Sequence, residues 1–258
     1  MIWAGNPWNH GWWDLPFETV GCGELLSLYH PDVLRADYAA LVEAGADVVA
    51  AATSGAIPSI MADIGHSDRA YEANRRSVEI ARECGAKVLG EIYPTTNLVT
   101  FPGGDASRLR DDYTVQIRGL FDGGVDYFYV ENVVDLENAR IAMDVIGNSD
   151  LPVVISGQIE LVESMLDGTT ATAFVDFARS YSPAFIGLTG HTEAIARAID
   201  EVFESGRAVD FVMVQTIWPG AEHTWLQTPE SLTDYFKTLL AEYPIPHIGI
   251  SYGVRPDF

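Results

Sequence analysis

The chain is poor in cysteine, with only Cys22 and Cys84 among its 258 residues. Two thiols can build neither a disulfide framework nor a four-thiolate zinc site, and they fit a reducing, cytoplasmic setting. Basic residues are also scarce: 15 Lys and Arg stand against 37 Asp and Glu, a formal charge of −22. A surface of that sign repels duplexes and anionic bilayers, so neither nucleic acid nor membrane is expected as a partner, and the surplus carboxylates serve solubility. Long apolar runs are missing too. No stretch approaches the roughly 18 residues of a membrane span, and the opening MIWAGNPWNHGWW lacks the basic start of a signal peptide.

Short apolar runs are plentiful. Seven recur at Asp47 to Ala52, Lys87 to Tyr93, Asp126 to Val130, Pro152 to Ser156, Ala184 to Leu188, Asp210 to Gln215 and Pro246 to Ile250. They are continuous rather than alternating, the pattern of parallel strands covered on both faces. Helical spacing of apolar residues marks Pro31 to Ala44, Ala70 to Cys84, Leu109 to Gly123, Asp135 to Ile146, Ala171 to Ser180, Thr192 to Glu204 and Glu230 to Glu242. Strand starts lie roughly 26 to 40 residues apart, the beat of βα units in a (β/α)8 TIM barrel of the α/β class. The eighth strand must come first, and Met1 to Gly5 is the short candidate. A doubly wound open sheet is the runner-up, weakened by the lack of a G-x-G-x-x-G after the early strands. The Gly/Pro clusters at Pro102 to Gly104 and Pro219-Gly220 are too short to be linkers, so residues 1–258 are expected to form one domain.

A parallel barrel carries its chemistry beyond the C-terminal ends of its strands. There the sequence offers Thr53, Glu91, Glu131-Asn132, Ser156-Gly157-Gln158, Thr189, His191 and Ser251-Tyr252. Glu131 emerges from the apolar YFYV, where a carboxylate needs a cationic partner such as a substrate ammonium; it could equally cap the helix near Asp135 or pair with an arginine. Gly157 allows close backbone approach, and Gln158 offers both donor and acceptor. His191 and His223 sit on different loops without metal-binding spacing, and His247 lies inside the last strand as a core residue. Four of the six tryptophans, Trp3, Trp8, Trp12 and Trp13, crowd the opening segment, where they would pack on the barrel or on a second copy in a homo-oligomer.

The stretches ELLSLYHPDVLRADYAALVEAGADVVAAATSGA (Glu24 to Ala56), YEANRRSVEIARE (Tyr71 to Glu83), YFYVENVVDLENARIAM (Tyr127 to Met143) and LPVVISGQIELVESMLDGTTATAFVDFA (Leu151 to Ala178) resemble the homocysteine S-methyltransferase family. That family includes betaine-dependent enzymes and the homocysteine-binding module of methionine synthase. The resemblance runs from about residue 15 to the C-terminus and implies a (β/α)8 barrel that moves a methyl group from a small methylated donor to a thiol or related acceptor. It also implies a zinc ion held by three cysteines, one in a G-x-N-C pattern ending the sixth strand and two in G-G-C-C-G ending the eighth. Here those segments read Gly187-Leu188-Thr189-Gly190 and Gly249-Ile250-Ser251-Tyr252-Gly253, and the family's first-strand D-G-G is Ala4-Gly5-Asn6.

What remains of the family's pattern is Glu131, placed as the fourth-strand acid that contacts the substrate amino group, and the Ser156-Gly157 turn. Rebuilding zinc from His191, His223 and Glu222 would leave a hydroxyl of Ser251 or Tyr252 where thiolate is needed. A metal-free, cofactor-free site is therefore expected, with a small-molecule substrate bound by Thr53, Glu91, Glu131, Asn132, Ser156, Gly157, Gln158, Thr189 and Ser251. His191 and Tyr252 would act as acid or base. Lyase or hydrolase chemistry on a small zwitterion, or binding without catalysis, are the alternatives.

Overall fold

The computed structural model describes residues 1–4, 22–147, 149–160, 163–215 and 228–251. Eight strands run parallel: β1 (Ile2–Ala4), β2 (Val48–Ala50), β3 (Lys87–Ile92), β4 (Tyr127–Val133), β5 (Val153–Ile159), β6 (Phe185–Gly190), β7 (Phe211–Gln215) and β8 (His247–Ser251). Each pairs with the next, and β1 closes the ring by pairing Trp3 with both Val48 and Gly249. The barrel expected from the spacing of the apolar runs is present. β1 is no shorter than β2, each having three residues.

The helices are α1 (Leu26–Tyr29), α2 (Pro31–Glu43), α3 (Pro58–Ala62), α4 (Ala70–Arg82), α5 (Ala106–Gly123), α6 (Leu136–Ile146), α7 (Ala171–Arg179), α8 (Thr192–Glu204) and α9 (Pro229–Glu242). The long ones start where local chemistry allows. Asp105 accepts from the Ser107 and Arg108 amides to cap α5, and Thr228 with Ser231 forms a reciprocal cap on α9. On α8, Ile195, Ile199 and Val202 recur on one face and are fully buried, each stabilising the fold by about 1.5–3 kcal/mol relative to exposure. Two short helices, α1 and α3, were not expected from periodicity, because single turns carry too few residues to show a period. Among the described residues no helix is long and apolar enough to cross a membrane.

The strands bury both faces. Val48, Ala50, Leu89, Tyr129, Val154, Phe211 and Met213 form a cluster of their own inside the ring, separate from the larger core between strands and helices. Phe211 crosses this interior where Gly187 leaves room: a Cβ on Gly187 would lie 2.3 Å from the Phe211 ring. The filled interior gives the barrel a floor, and the polar ends of the strands stand above it.

Candidate active site at the barrel mouth

Several residues expected in loops are the last residues of strands. β4 continues past Val130 to Val133, β5 reaches Ile159 and β6 reaches Gly190, so Glu131, Asn132, Ser156, Gly157, Gln158 and Thr189 belong to strands, the last four of them paired in register across β5 and β6. β4 carries an extra residue between Val130 and Val133, and Asn132 in this bulge has φ +49°. Asparagine is among the non-glycine residues that best tolerate that left-handed region.

Glu131 is 3% exposed and Glu91 1% exposed, on adjacent strands. The two carboxyl groups are near enough for the charge of Glu131 to act on Glu91. The Asn132 amide lies 3.4 Å from Glu131 Oε1. Glu131 does not cap the helix that follows it: Asp135 does, accepting from the Glu137 and Asn138 amides at 2.8 and 3.3 Å and from Thr100 Oγ1 at 2.7 Å. With the cap supplied by Asp135, Glu131 is left at the mouth.

Burial pushes the Glu91 carboxyl well above the usual carboxylate range, and the charge of Glu131 adds to the shift. Tyr129, beneath Glu131, is driven up by burial and by that same charge. A third acid joins from outside the ring. Glu24 precedes α1, is 4% exposed, and accepts from the Gly55 amide at 2.6 Å and from Cys22 Sγ at 3.1 Å. Sequence reasoning missed Glu24 as a site residue; its available signal was an acid set between Cys22 and the apolar pair Leu25-Leu26.

The other expected residues mostly brace this arrangement. Thr53 is buried and spends its hydroxyl on the backbone of Glu91, accepting from its amide and donating to its carbonyl, both at 3.1 Å. Ser156 Oγ lies 2.9 Å from the Tyr129 hydroxyl and accepts from the Asn132 amide at 3.2 Å. Thr189 donates to the Gly157 carbonyl, and Gln158 links Glu160 on one side to Gln215 on the other. The space left by the missing Cβ of Gly157 is taken by Phe174 of α7, whose ring would lie 2.8 Å from a Cβ there. The side expected to admit a ligand therefore faces a helix.

Glu91 Oε2 and Asn132 Oδ1 are buried without a hydrogen-bond partner among the described residues. His191 is half-buried and directly precedes α8, and Ser251 ends β8 opposite Gln215. Tyr252, His223, Glu222 and three of the four opening tryptophans lie outside the described residues. His247 is at the other end of the barrel, half-buried against Phe185 with ring centroids 5.2 Å apart, its imidazole pKa lowered by burial and the nearby N-terminal charge.

The three-thiolate zinc implied by the resemblance does not fit these residues. Thr189 presents a neutral hydroxyl already committed to Gly157, and Gly190 has no side chain. Cys22 is bound to Glu24, burial pushing its thiol up and Glu24 adding to the shift, whereas Cys84 precedes β3 at the opposite end. Among the described residues no three His, Cys, Asp or Glu are placed to hold one metal ion.

A family model described as homocysteine S-methyltransferase matches residues 5–257. Methionine synthase of Mycobacterium leprae is 30% identical over 261 residues, covering 92% of this chain and 21% of that protein. The Mycobacterium tuberculosis methionine synthase is 29% identical, with 92% and 22% covered. The chain thus spans about a fifth of the length of these relatives. The fold is that of the homocysteine methyltransferase MmuM from Escherichia coli, whose metallated form superposes with a TM-score of 0.78 at 17% identity over 99% of this chain and 92% of that one. Its oxidized form gives the same TM-score at 16% identity. From the match along nearly its whole length, the chain belongs to the homocysteine S-methyltransferase family.

Proposed function

We propose that the protein transfers a methyl group from a small methylated donor to the sulfur of a homocysteine-like amino acid, and does so without the family's zinc. The observation that carries this reading is Glu131: a buried carboxyl at the mouth of a family barrel, released from helix capping by Asp135. An ammonium is the partner that such a carboxylate calls for. Family membership supplies the reaction type.

In that reading Glu131 fixes the amino end of the acceptor and so places its sulfur over the mouth. The sulfur lone pair attacks the methyl carbon, the bond from that carbon to the donor breaks with its electron pair, and the thiol proton passes to a base. His191, half-buried at the end of β6, takes that proton; Tyr252 is the second candidate for acid or base. Lacking a described thiolate set to sharpen the sulfur, the enzyme relies on placement and on this base, and its rate rises with pH as the thiol ionises.

The test is methyl transfer to L-homocysteine from sulfonium and quaternary ammonium donors, run with added zinc and with chelator. Turnover indifferent to chelator and lost in Glu131→Gln supports the reading. No methyl transfer under any combination overturns it, and turnover that appears only with zinc overturns the metal-free part.

A further inference from the structure

Behind the loop that follows β2, three buried side chains each keep one oxygen without a donor. Asn74 of α4 and Asp112 and Gln116 of α5 are at most 5% exposed, and Asn74 Oδ1, Asp112 Oδ2 and Gln116 Oε1 have no hydrogen-bond partner among the described residues. Their other polar atoms hold one stretch of chain, residues 53–59. Gln116 Nε2 donates to the Thr53 carbonyl at 2.8 Å, Asn74 Nδ2 to the Ala56 carbonyl at 2.6 Å, and the Ser59 amide donates to Asp112 Oδ1 at 3.1 Å. The Ala56 amide in turn donates to the Thr53 carbonyl at 3.0 Å, so the first two side chains hang on a single turn. Because the nitrogens of Asn74 and Gln116 face carbonyls, their oxygens are the atoms left over. The helices bring the set to one seam. Asp112 and Gln116 stand one turn apart on the same face of α5, Gly119 continues that face, and a Cβ on Gly119 would lie 2.7 Å from Asn74 Cβ.

Buried acceptors without donors are costly, and three of them on the residues that anchor one loop call for a shared partner. Nearby arginines do not supply it: Arg110 and Arg118 of α5 pair with Asp144 and Asp122, and Arg75, next to Asn74, pairs with Glu79. One carboxylate and two amide carbonyls make an all-oxygen set, which suits a hard cation rather than a thiophilic one. The set carries a single negative charge. A monovalent ion neutralises it, whereas a divalent ion would leave net positive charge buried in the seam. We propose that Asn74 Oδ1, Asp112 Oδ2 and Gln116 Oε1 bind a sodium or potassium ion between α4 and α5, and that this ion fixes the 53–59 loop. That loop forms a wall of the mouth, where Thr53 braces the Glu91 backbone and the Gly55 amide donates to Glu24 at 2.6 Å. The ion thus steadies the mouth from behind, and the inference is independent of the methyl-transfer reading.

Melting of the whole chain tests it, in the chlorides of sodium, potassium, calcium and choline at one ionic strength of about 0.5 M, so that screening of the surface acids is equal throughout. Wild type should melt roughly 5 °C higher in sodium or potassium chloride than in choline chloride, whose cation is too large for the seam. The alkali ion that gives the larger rise is the occupant. Asp112→Asn should lose this difference and Gln116→Met part of it, while Asp111→Asn, at an exposed acid next in the chain, should keep it. Replacing choline stepwise by the alkali ion gives a second readout that needs no variant: the unfolding constant of wild type should fall by up to about tenfold per tenfold rise in ion concentration, the signature of one ion taken up on folding. A flat response, equal melting in alkali and choline salts, or an undiminished difference in Asp112→Asn overturns the inference. A larger rise in calcium chloride than in either alkali salt overturns the monovalent assignment.

Discussion

The Tyr129 hydroxyl lies 2.9 Å from Ser156 Oγ and 3.2 Å from Met213 Sδ, joining three strands just beneath the mouth. Since Ser156 in turn accepts from the Asn132 amide, this phenol links the filled interior to the bulge that shapes the site. Tyr129→Phe keeps the ring and removes the link. Urea unfolding should show a loss of about 1 kcal/mol, the ordinary net value of a buried hydrogen bond, with the barrel still folded by circular dichroism.

Glu91 makes stability depend on pH in a definite direction. Its folded carboxyl is held above the usual range by burial, with Glu131 adding to the shift. The unfolded chain ionises near the reference value of about 4.3, so above that pH the unfolded state gains from losing a proton that the folded state keeps. Stability therefore falls as pH rises from the reference value toward the folded one. Melting curves from pH 5 to pH 8 should show wild type losing Tm relative to Glu91→Gln, and an equal change in both proteins would refute this assignment.

Gly157 is answered by the Phe174 ring. Gly157→Ala should cost about 1–3 kcal/mol by overpacking, and Phe174→Leu in the same chain should recover part of that loss. A double-mutant cycle in denaturant reads the coupling. Additive losses would place the origin of the glycine elsewhere.

Asp135 holds two segments at once, the start of α6 and the Thr100 turn. Asp135→Ala should cost about 2 kcal/mol or more, beyond an ordinary cap, because buried amides lose their acceptor. Asp135→Asn, which keeps one oxygen, should lose less. Comparing the two by chemical denaturation checks the dual role.

Much of the fold was legible because its signals are local and repeated. Each of the apolar runs from DVVAAA to PHIGI became a strand, and α8 spans Thr192–Glu204 as its spacing indicated. Strand ends were harder. Glu131 and Asn132 read as a loop because polarity breaks an apolar run, whereas in the structure a polar mouth is where parallel strands finish. Of the candidate site residues, Thr53, Ser156 and Thr189 are engaged in hydrogen bonds within the protein, partners that a sequence read strand by strand does not reveal. Glu24 reaches the mouth only through a tertiary contact with Gly55 that no sequence spacing announces.

The additional residue in β4 has a consequence for how this pocket could change over evolution. In an unbroken strand, neighbours at 131 and 132 would face opposite ways and only one could serve a ligand. The kink supplies two polar side chains from consecutive codons, and its cost rests on one asparagine tolerating φ +49°. A valine or isoleucine at 132 would favour a straight ribbon, so this single position governs whether β4 keeps its extra residue.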